Sequence, residues 1–317
     1  MRILLANPRG FCAGVNMAIE VVDEVLKRRG APVYVFHEIV HNRHVVEDFR
    51  SRGVVFVESI NEVPDGQVVV YSAHGISPAV RAQSRSRQLV EVDATCPLVT
   101  KVHLEVQRFA KQGYTILFIG HRNHDEAIGT VGEAPESIIV VETPEEVQQL
   151  HLPDTSKVAY VTQTTLSVAD ANRIIAALKQ RFPAIKPPPK DDICYATTNR
   201  QMAVTELSRD VEVVLVVGSK NSSNSKRLVE TAIEAGKAAY LIDDATEVNA
   251  DWLTGAQSVL VTAGASAPER FVQGVIDRLI GEFAGHVEQH TLVNEDVRFD
   301  LPRSLKQLAI IPATTSV

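Results

Sequence analysis

Short runs of β-branched and aliphatic residues recur along the chain, and polar residues rarely interrupt them. Continuous apolar runs of this length are typical of strands that are covered on both faces. The pattern therefore predicts a series of short buried strands. They are Ile3–Ala6, Val33–Phe36, Val54–Val57, Val68–Ser72, Val90–Val92, Thr115–Ile119, Ile138–Val141, Val158–Thr162, Glu212–Val217, Ala239–Ile242 and Val259–Thr262.

Helical periodicity separates many of these runs. In Ala13–Arg29 the apolar residues Ile19, Val22 and Leu26 fall on one face, and Gly30 follows as a stop signal. Strands that alternate with helices predict βαβ units and parallel sheets, and so an α/β fold. The other predicted helices are Leu98–Gln112, Asp170–Arg181, Asn199–Arg209, Ser223–Ala235 and Pro268–Glu282.

Three cysteines divide the chain into segments of similar length. Cys12, Cys96 and Cys194 each follow a strand-like or loop segment and precede a helix-like one. Their spacing predicts three small α/β units, and the Pro-rich segment Arg181–Asp192 is a predicted linker or boundary. The predicted units are residues 13–96, 97–193 and 194–284, with residues 1–12 leading into the first as a strand, a C-terminal extension at 285–317, and a frayed end at 311–317.

Composition narrows the class of protein. The chain has 317 residues, enough for two or three small domains, and a formal net charge of −7. That charge argues against a nucleic-acid partner bound through a broad basic face. No run approaches the roughly 20 apolar residues that span a bilayer. The first apolar run ends at Asn7-Pro8-Arg9 and is typical of a strand rather than a signal peptide. We therefore expect a cytoplasmic protein with no membrane and no nucleic-acid partner.

The cysteines are the first candidates for chemistry. Three cysteines in a cytoplasmic chain do not make a disulfide framework. At a helix N-terminus the helix dipole and free N–H groups stabilise a thiolate, the form that binds metal. Structural zinc sites mostly use close cysteine pairs and four protein ligands, a pattern that this sequence lacks. Three thiolates without an obvious fourth ligand fit an iron–sulfur cluster with one open iron, and unrelated buried thiols are the alternative.

Histidines follow the ends of several predicted strands. They are His41 and His44, then His74, then His121 and His124. Ligand sites in open parallel sheets form at the carboxyl ends of strands. A single histidine is more often a surface residue, but histidines after successive strands predict neutral or cationic donors to an anion.

A serine-rich turn offers a second set of donors. The segment Gly218–Leu228 follows a predicted strand and opens a helix, so Ser222, Ser223 and Asn224 combine side-chain donors with helix N-terminal N–H groups. This combination suits phosphate, and a serine-rich helix cap is the alternative. A later strand–glycine–serine–helix segment repeats the arrangement with Ser266.

Sources of electrons and protons can also be inferred. No GxGxxG motif follows the first strand, so a nicotinamide cofactor is not predicted and electrons are expected from a protein donor. Glu126 lies in a histidine-bearing turn after a strand, where it could donate a proton to a leaving hydroxyl. A solvated acid at a helix start is the alternative.

Seven blocks between residues 8 and 268 together resemble one family. They are PRGFCAGV, SAHG, DATCPLVTKVH, TQTTLS, CYATTNRQ, VVGSKNSSNS and TAGASAP. The resemblance is to the LytB (IspH) family of 4-hydroxy-3-methylbut-2-enyl diphosphate reductases. It implies three α/β lobes in a pseudo-threefold arrangement around a central 4Fe–4S cluster. It also implies reductive dehydroxylation of (E)-4-hydroxy-3-methylbut-2-enyl diphosphate to isopentenyl and dimethylallyl diphosphates, the last step of the methylerythritol phosphate isoprenoid pathway.

The resemblance also assigns roles to residues of this chain. It implies that Cys12, Cys96 and Cys194 hold the cluster, that Glu126 is the proton source, and that Thr164 helps to place the substrate hydroxyl. The electron donor would be a ferredoxin or a flavodoxin. The implied diphosphate-binding residues are His41, His74, His124, Ser222, Ser223, Asn224 and Ser266.

The sequence departs from the family pattern at two positions, and two other functions were considered. The family usually has His-Pro-Glu where this chain has His124-Asp125-Glu126, and the extra carboxylate is expected to raise the pKa of Glu126. The first helix reads Val15-Asn16-Met17 where an acid and an arginine are usual. The rivals are a zinc hydrolase acting on a phosphorylated metabolite and a periplasmic-type α/β ligand-binding protein.

Overall fold

Twelve strands form the framework of the computed structural model, which describes residues 1–309. All the predicted strands are present, and their ends agree to within one residue. The strands are β1 Arg2–Asn7, β2 Val33–Phe36, β3 Val54–Val57, β4 Val68–Tyr71, β5 Val90–Asp93, β6 Thr115–Ile119, β7 Ile138–Val141, β8 Val158–Thr162, β9 Val213–Val217, β10 Ala238–Ile242, β11 Ser258–Ala263 and β12 His286–Thr291.

The strands form three separate sheets, and every pairing between them is parallel. Their orders are β3-β2-β4-β5, β7-β6-β8 and β10-β9-β11-β1-β12. The α/β class, the parallel sheets and the three lobes in pseudo-threefold arrangement are therefore confirmed. The first strand pairs with β11 and β12, so it lies in the same sheet as the strands of the predicted third unit. The unit boundaries drawn from cysteine spacing stay a prediction.

The strand β12 was missed because its sequence, HVEQHT, is polar and its side chains are largely exposed. It lies at the edge of its sheet, where one side of the strand has no partner strand among residues 1–309 and apolar residues are not required. It falls in the segment predicted as a C-terminal extension. The expected frayed end at 311–317 lies outside the described residues.

Helices connect the strands. They are α1 Ala13–Arg29, α2 Arg43–Ser51, α3 Pro78–Ser86, α4 Pro97–Lys111, α5 Asp125–Gly132, α6 Pro144–Gln149, α7 Val168–Arg181, α8 Tyr195–Leu207, α9 Ser223–Glu234, α10 Glu269–Phe283 and α11 Arg303–Gln307. Within residues 1–309, none of them combines the length and the apolar character that crossing a bilayer requires.

Two kinds of helix differ from the prediction. The helix α8 begins four residues earlier than the predicted Asn199, because Cys194 caps its first turn. The helices α2, α3, α5, α6 and α11 were not predicted, since each spans fewer than ten residues and shows too few turns for a clear apolar period. Local capping marks their starts instead: the side chains of Asn42, Ser77 and Thr143 accept the N–H groups of α2, α3 and α6.

Alternate residues of the largest sheet enter two different cores. Ile3 and Leu5 of β1 pack in one cluster, whereas Leu4 and Ala6 pack in the other, on the opposite face. This alternation follows from the two-residue repeat of a strand. Burying each aliphatic side chain of this kind contributes about 1.5–3 kcal/mol. The apolar runs thus fix both faces of the sheet, and polar residues are left for the strand ends.

A buried arginine ties the third lobe to the first cysteine loop. Arg200 is 0% exposed, and its guanidinium donates to the carbonyl of Gly10 at 2.8 Å and to that of Ala196 at 2.9 Å. The same guanidinium pairs with Glu295 at 3.1 Å. The two terminal nitrogens of the guanidinium thus have both a charge partner and hydrogen-bond acceptors, which stabilise a buried ion pair.

We expect Arg200→Met to lower the free energy of unfolding by about 3 kcal/mol, because it removes the buried cation that pairs with Glu295 and donates to the carbonyl groups of Gly10 and Ala196. The measurement is urea unfolding of the anaerobically prepared protein. Arg209→Met is the control, since that side chain is 66% exposed in a surface pair with Glu206 and its loss should cost less than about 1 kcal/mol. Equal losses in the two variants would contradict the structural role of Arg200.

Candidate active site

One central cavity is lined by twelve of the residues that the sequence singled out for chemistry. The carboxyl ends of strands from all three sheets meet there, which is where parallel sheets place ligands. The predicted residues that line it are Cys12, Cys96, Cys194, His41, His74, His124, Glu126, Thr164, Ser222, Ser223, Asn224 and Ser266.

The three cysteines reach the cavity by the same local device. Each is the N-cap residue of a helix, at the starts of α1, α4 and α8. Each also donates its backbone N–H to a carbonyl just beyond a strand end: Cys12 to Ala265 at 3.1 Å, Cys96 to Ala73 at 3.0 Å and Cys194 to Thr164 at 3.0 Å. The start of the helix fixes the position of the cysteine, and the extra hydrogen bond attaches the cysteine backbone to the neighbouring sheet.

The sulfurs of Cys12 and Cys96 both lie close to Gly14, and Cys194 lines the same cavity. A Cβ atom added to Gly14 would lie 2.7 Å from the sulfur of Cys96 and 3.9 Å from that of Cys12. Only glycine fits at that point, so the sequence keeps a small space between two sulfurs. Burial, followed by the charge of Cys12, raises the pKa of Cys96 to about 12 and that of Cys194 to about 11. Buried thiols gathered in this way become thiolates only beside a cation, so the donor set fits a metal cluster.

The sulfur of Cys194 accepts hydrogen bonds from within its own helix. The N–H of Thr197 lies 3.4 Å from this sulfur and the Thr197 hydroxyl 3.2 Å from it. Asn224 donates to that hydroxyl at 3.3 Å and accepts the N–H of Ala265 at 2.9 Å. The hydroxyl of Thr197 is therefore left to donate to sulfur, which stabilises the thiolate form. Thr197 was missed, although its position three residues after Cys194 is the signal for such a cap.

Three histidines gather on one wall. The rings of His41 and His74 stack at 3.9 Å, and His124 stands edge-on to both. Burial, with the charge of His41 next, lowers the pKa of His74 well below its usual value and that of His124 to about 4. His124 accepts the N–H of Glu126 at Nδ1, so its proton lies on Nε2. The lowered pKa values favour the neutral forms of His74 and His124, and the role of the histidines as donors to an anion stays a prediction.

The acid and Thr164 form a buried pair. Glu126 is 2% exposed, and one carboxyl oxygen accepts the N–H of Thr164 at 2.7 Å while the other accepts its hydroxyl at 2.8 Å. Burial raises the pKa of Glu126 to about 7, against the opposing effect of these bonds and with a small addition from Asp192. The expectation that Asp125 raises this pKa was wrong, because the main cause of the increase is burial.

Asp125 instead lies against the histidines. One of its carboxylate oxygens contacts Nδ1 of His37 at 2.8 Å, and the other lies 3.7 Å from Nε2 of His41 and 4.0 Å from Nδ1 of His74. Burial lowers the pKa of His37, but the hydrogen bond and charge of Asp125 outweigh burial and raise it. Neither residue was predicted to act at the site.

These groups are close enough to be considered as metal ligands, since atoms of His41, His74 and Asp125 lie within 4.8 Å of one another. The two rings are nearly parallel, with an angle of 15° between their planes. Lone pairs of imidazole nitrogens lie in the ring planes, so those of two stacked rings do not converge on one ion. The arrangement suits an anion held by separate donors better than a metal.

The serine turns join their own lobe to the other two lobes at the cavity. The hydroxyl of Ser266 donates to the carbonyl of His41 at 2.9 Å and lies 3.4 Å from the hydroxyl of Ser222. Ser223 donates to the carbonyl of Thr165 at 3.0 Å. The hydroxyls of Ser222 and Ser223 lie at the start of α9, and that of Ser266 lies just before α10. All three are therefore beside free N–H groups at a helix N-terminus.

Two of the histidines noted in the sequence do not reach the cavity. His44 pairs with Asp244 at 2.9 Å and stacks on Phe271, and His121 lies beside Glu142 at 3.9 Å. Both follow strands, so strand position alone could not separate them from the other three. The cavity also has an apolar lining that the sequence did not reveal, formed by Val15, Val40, Ala73, Leu98, Val99 and Ala265.

We expect Asp125→Asn to lower the pKa of His37, because burial then acts without an opposing carboxylate. The measurement is a titration of the imidazole resonances by NMR. Asp244→Asn is the matched control, since that carboxylate contacts His44 and should leave His37 unchanged. An unaltered His37 titration in Asp125→Asn would show that the contact does not form in solution.

The chain is similar to known proteins over almost its whole length. The family model described as LytB protein matches residues 3–280. The 4-hydroxy-3-methylbut-2-enyl diphosphate reductase of Rhodopirellula baltica is 55% identical, with 98% of this chain and 97% of that one covered. The enzyme of the same name from Nocardia farcinica is 53% identical, with 96% and 91% covered.

The fold is similar to a solved structure as well. The E-1-hydroxy-2-methyl-but-2-enyl-4-diphosphate reductase from Plasmodium falciparum superimposes with a TM-score of 0.94 at 41% identity, and the match covers 96% of each chain. The family match includes all twelve predicted residues of the cavity. By sequence and by fold, this chain belongs to the LytB family.

Proposed function

We propose that this protein is a 4-hydroxy-3-methylbut-2-enyl diphosphate reductase. It converts (E)-4-hydroxy-3-methylbut-2-enyl diphosphate to isopentenyl and dimethylallyl diphosphates, the last step of the methylerythritol phosphate pathway. The observation that carries this proposal is the convergence on one cavity of three helix-capping cysteines, a buried acid and a wall of anion donors. Relatives that share more than half of its residues bear the same name.

Cys12, Cys96 and Cys194 would hold a 4Fe–4S cluster. The three thiols, the space kept by Gly14 and the hydrogen bonds to the sulfur of Cys194 support this assignment. When bound, the cluster supplies two electrons to the substrate and, at its open iron, Lewis acidity that weakens the C–O bond.

The diphosphate end of the substrate would lie against the histidine wall and the serine turns. Neutral rings of His74 and His124 donate hydrogen bonds to phosphate oxygens without requiring a second buried charge. Ser222 and Ser223 add hydroxyls beside the N-terminus of α9, which favours an anion. Fixed donors of this kind position the substrate before the reaction begins.

The hydrocarbon part of the substrate would contact the apolar lining. Val15, Val40 and Val99 come from three different helices or loops and face the same space. Their side chains offer no hydrogen bond, so they exclude water from the reacting carbon atoms. Exclusion of water strengthens the polar contacts at the other end.

Glu126 would protonate the leaving hydroxyl. The reaction consumes two electrons and two protons, breaks one C–O bond, forms one C–H bond and releases water. A carboxyl group with a pKa of about 7 is protonated in half of the molecules at neutral pH, so it can donate one of these protons. Thr164 holds both carboxyl oxygens, and its own carbonyl accepts the N–H of Cys194. The acid is thereby fixed relative to a cysteine.

A ferredoxin or a flavodoxin would deliver the electrons. A zinc hydrolase and a simple ligand-binding protein need neither the electrons nor a protonated acid beside three thiols. No feature of the described residues favours either rival over the reductase.

Replacement of one proposed cluster ligand tests the cofactor. We expect Cys12→Ser to lose most of its iron and visible absorbance, and its turnover, because two thiolates hold a cluster poorly. Iron content and the absorption spectrum of anaerobically purified protein measure this. Thr197→Val is the control and should keep the cluster with an altered spectrum or potential. Brown colour and full activity in Cys12→Ser would rule out the assignment.

The acid can be tested through the dependence of turnover on pH. The pKa of Glu126 is raised to about 7, so its proton-donating form prevails below that pH. We expect kcat with a small chemical reductant to fall about tenfold per pH unit above about 7, and Glu126→Gln to lose about 10²–10⁴-fold at pH 7.

Thr164→Val provides a matched control for this assignment. The hydroxyl of Thr164 lowers the pKa of Glu126, so its removal should move the falling limb of the kcat profile to higher pH. An unchanged limb in Thr164→Val, or one that persists in Glu126→Gln, would assign the titration to another group.

A further inference from the structure

We infer that the exposed side of α4 is the docking surface for an acidic, one-electron carrier protein. This inference rests on the proposed reductase function, since that reaction requires an electron donor. The surface, called the α4 face below, consists of Pro97, Thr100, Leu104, Arg108, Lys111 and, across a shallow groove, Arg303.

The α4 face begins directly at a proposed cluster ligand. Cys96 caps α4, and residues at intervals of three or four from Pro97 to Lys111 lie on one side of the helix. Each of these residues is exposed, and none of them is acidic. Leu104 is 59% exposed, more than any other large hydrophobic side chain in residues 1–309. An apolar centre ringed by charge is typical of a site where another protein binds.

The charges on this face are positive and available. Arg108 and Arg303 form no ion pair with any other residue in the described range. Glu105, the one acid that lines the groove, is 8% exposed, and burial together with the charge of Asp192 raises its pKa. The chain as a whole has a net charge of −7. A cationic patch on an anionic protein selects for a partner whose own contact surface is acidic.

The face also lies over the approach to a second cysteine. Lys101, on the edge of the same groove, donates to the carbonyls of Lys190 at 2.6 Å and Asp191 at 3.0 Å. Its ammonium contacts the carboxylate of Asp192 at 2.6 Å. Residues 190–192 lead directly into Cys194. A carrier on this face would therefore be adjacent to the loops of two of the three cysteines.

Polar groups connect the face to the interior. The N–H of Thr100 donates to the carbonyl of Cys96 at 3.0 Å, and its exposed hydroxyl lies 3.4 Å from the same carbonyl. A short path of covalent and hydrogen bonds thus runs from the surface to a cysteine. The groove shares no lining residue with the substrate cavity. Carrier and substrate can consequently bind at the same time.

The test uses a double variant, Arg108→Glu with Arg303→Glu, of the cluster-loaded enzyme. Binding of an acidic ferredoxin is measured by titration at low and high salt. Turnover is measured with that ferredoxin and, separately, with a small chemical reductant. We expect the ferredoxin Kd of the variant to rise at least about tenfold at low salt, because two attractive charges become repulsive. Turnover with the small reductant should stay within about twofold of the parent enzyme.

A second double variant supplies the control. Arg209→Glu with Lys237→Glu changes the net charge equally, but both residues precede strands of the largest sheet, at the opposite end from the cavity. It should bind ferredoxin as the parent does. Leu104→Ser should weaken binding at low and high salt alike, because its contribution is apolar.

The outcomes separate this inference from the proposed function. If the α4 variant binds ferredoxin as tightly as the parent, or if the control variant weakens binding equally, the docking surface is elsewhere. If the parent fails to reduce the allylic diphosphate even with the small reductant, the proposed function is wrong. The binding titration can be read in either case, since it does not depend on turnover.

Discussion

One backbone hydrogen bond, repeated three times, holds the site together. Each cysteine N–H donates to a carbonyl just beyond a neighbouring strand: Ala265, Ala73 and Thr164. In the third case the neighbouring strand β8 also pairs with the Pro-rich segment at one residue, Lys186, so the predicted linker is attached to the edge of this sheet. The three lobes have different sheets, but each positions its cysteine through the same kind of backbone hydrogen bond. Because the bonds involve the backbone alone, side chains elsewhere in the lobes can vary without moving the cysteines.

The position of the Glu126 carboxyl group is linked to the position of the Cys194 thiol. Thr164 donates to both oxygens of Glu126 and accepts the N–H of Cys194 through its carbonyl, so one residue sets the distance between the carboxyl group of Glu126 and the sulfur of Cys194. On the other side, Asn224 reaches the same sulfur through the hydroxyl of Thr197. Displacement of either polar link would move the carboxyl group of Glu126 or the sulfur of Cys194. This explains why polar side chains persist in a region that is otherwise buried.

The sequence was informative wherever the cause of structure is local. Buried strands need continuous apolar runs, and cysteines or serines at helix starts show in the adjacent residues, so the sheets and the cavity residues could be predicted. Features with distant causes could not. The strand β12 is defined by its pairing with β1, which is distant in sequence. Arg200 can be buried because it pairs with Glu295, and that residue lies 95 residues away in the sequence. His37 meets Asp125 only through the packing of two lobes, and its φ of 60° has no signature in the residues around it.

Burial acts on the acid and on the histidines in opposite directions, with a common result. A low-dielectric environment disfavours charge, so it raises the pKa of Glu126 to about 7 and lowers that of His124 to about 4. The neutral form of His124 therefore prevails at neutral pH, and Glu126 is protonated in about half of the molecules. In the proposed complex, the diphosphate would add negative charge beside His74 and His124, and it would raise their pKa values by direct contact. Asp125 contacts His37 and lies beside His41, although neither Asp125 nor His37 lines the cavity, so the electrostatics of the cavity depend on a pair of residues outside its lining.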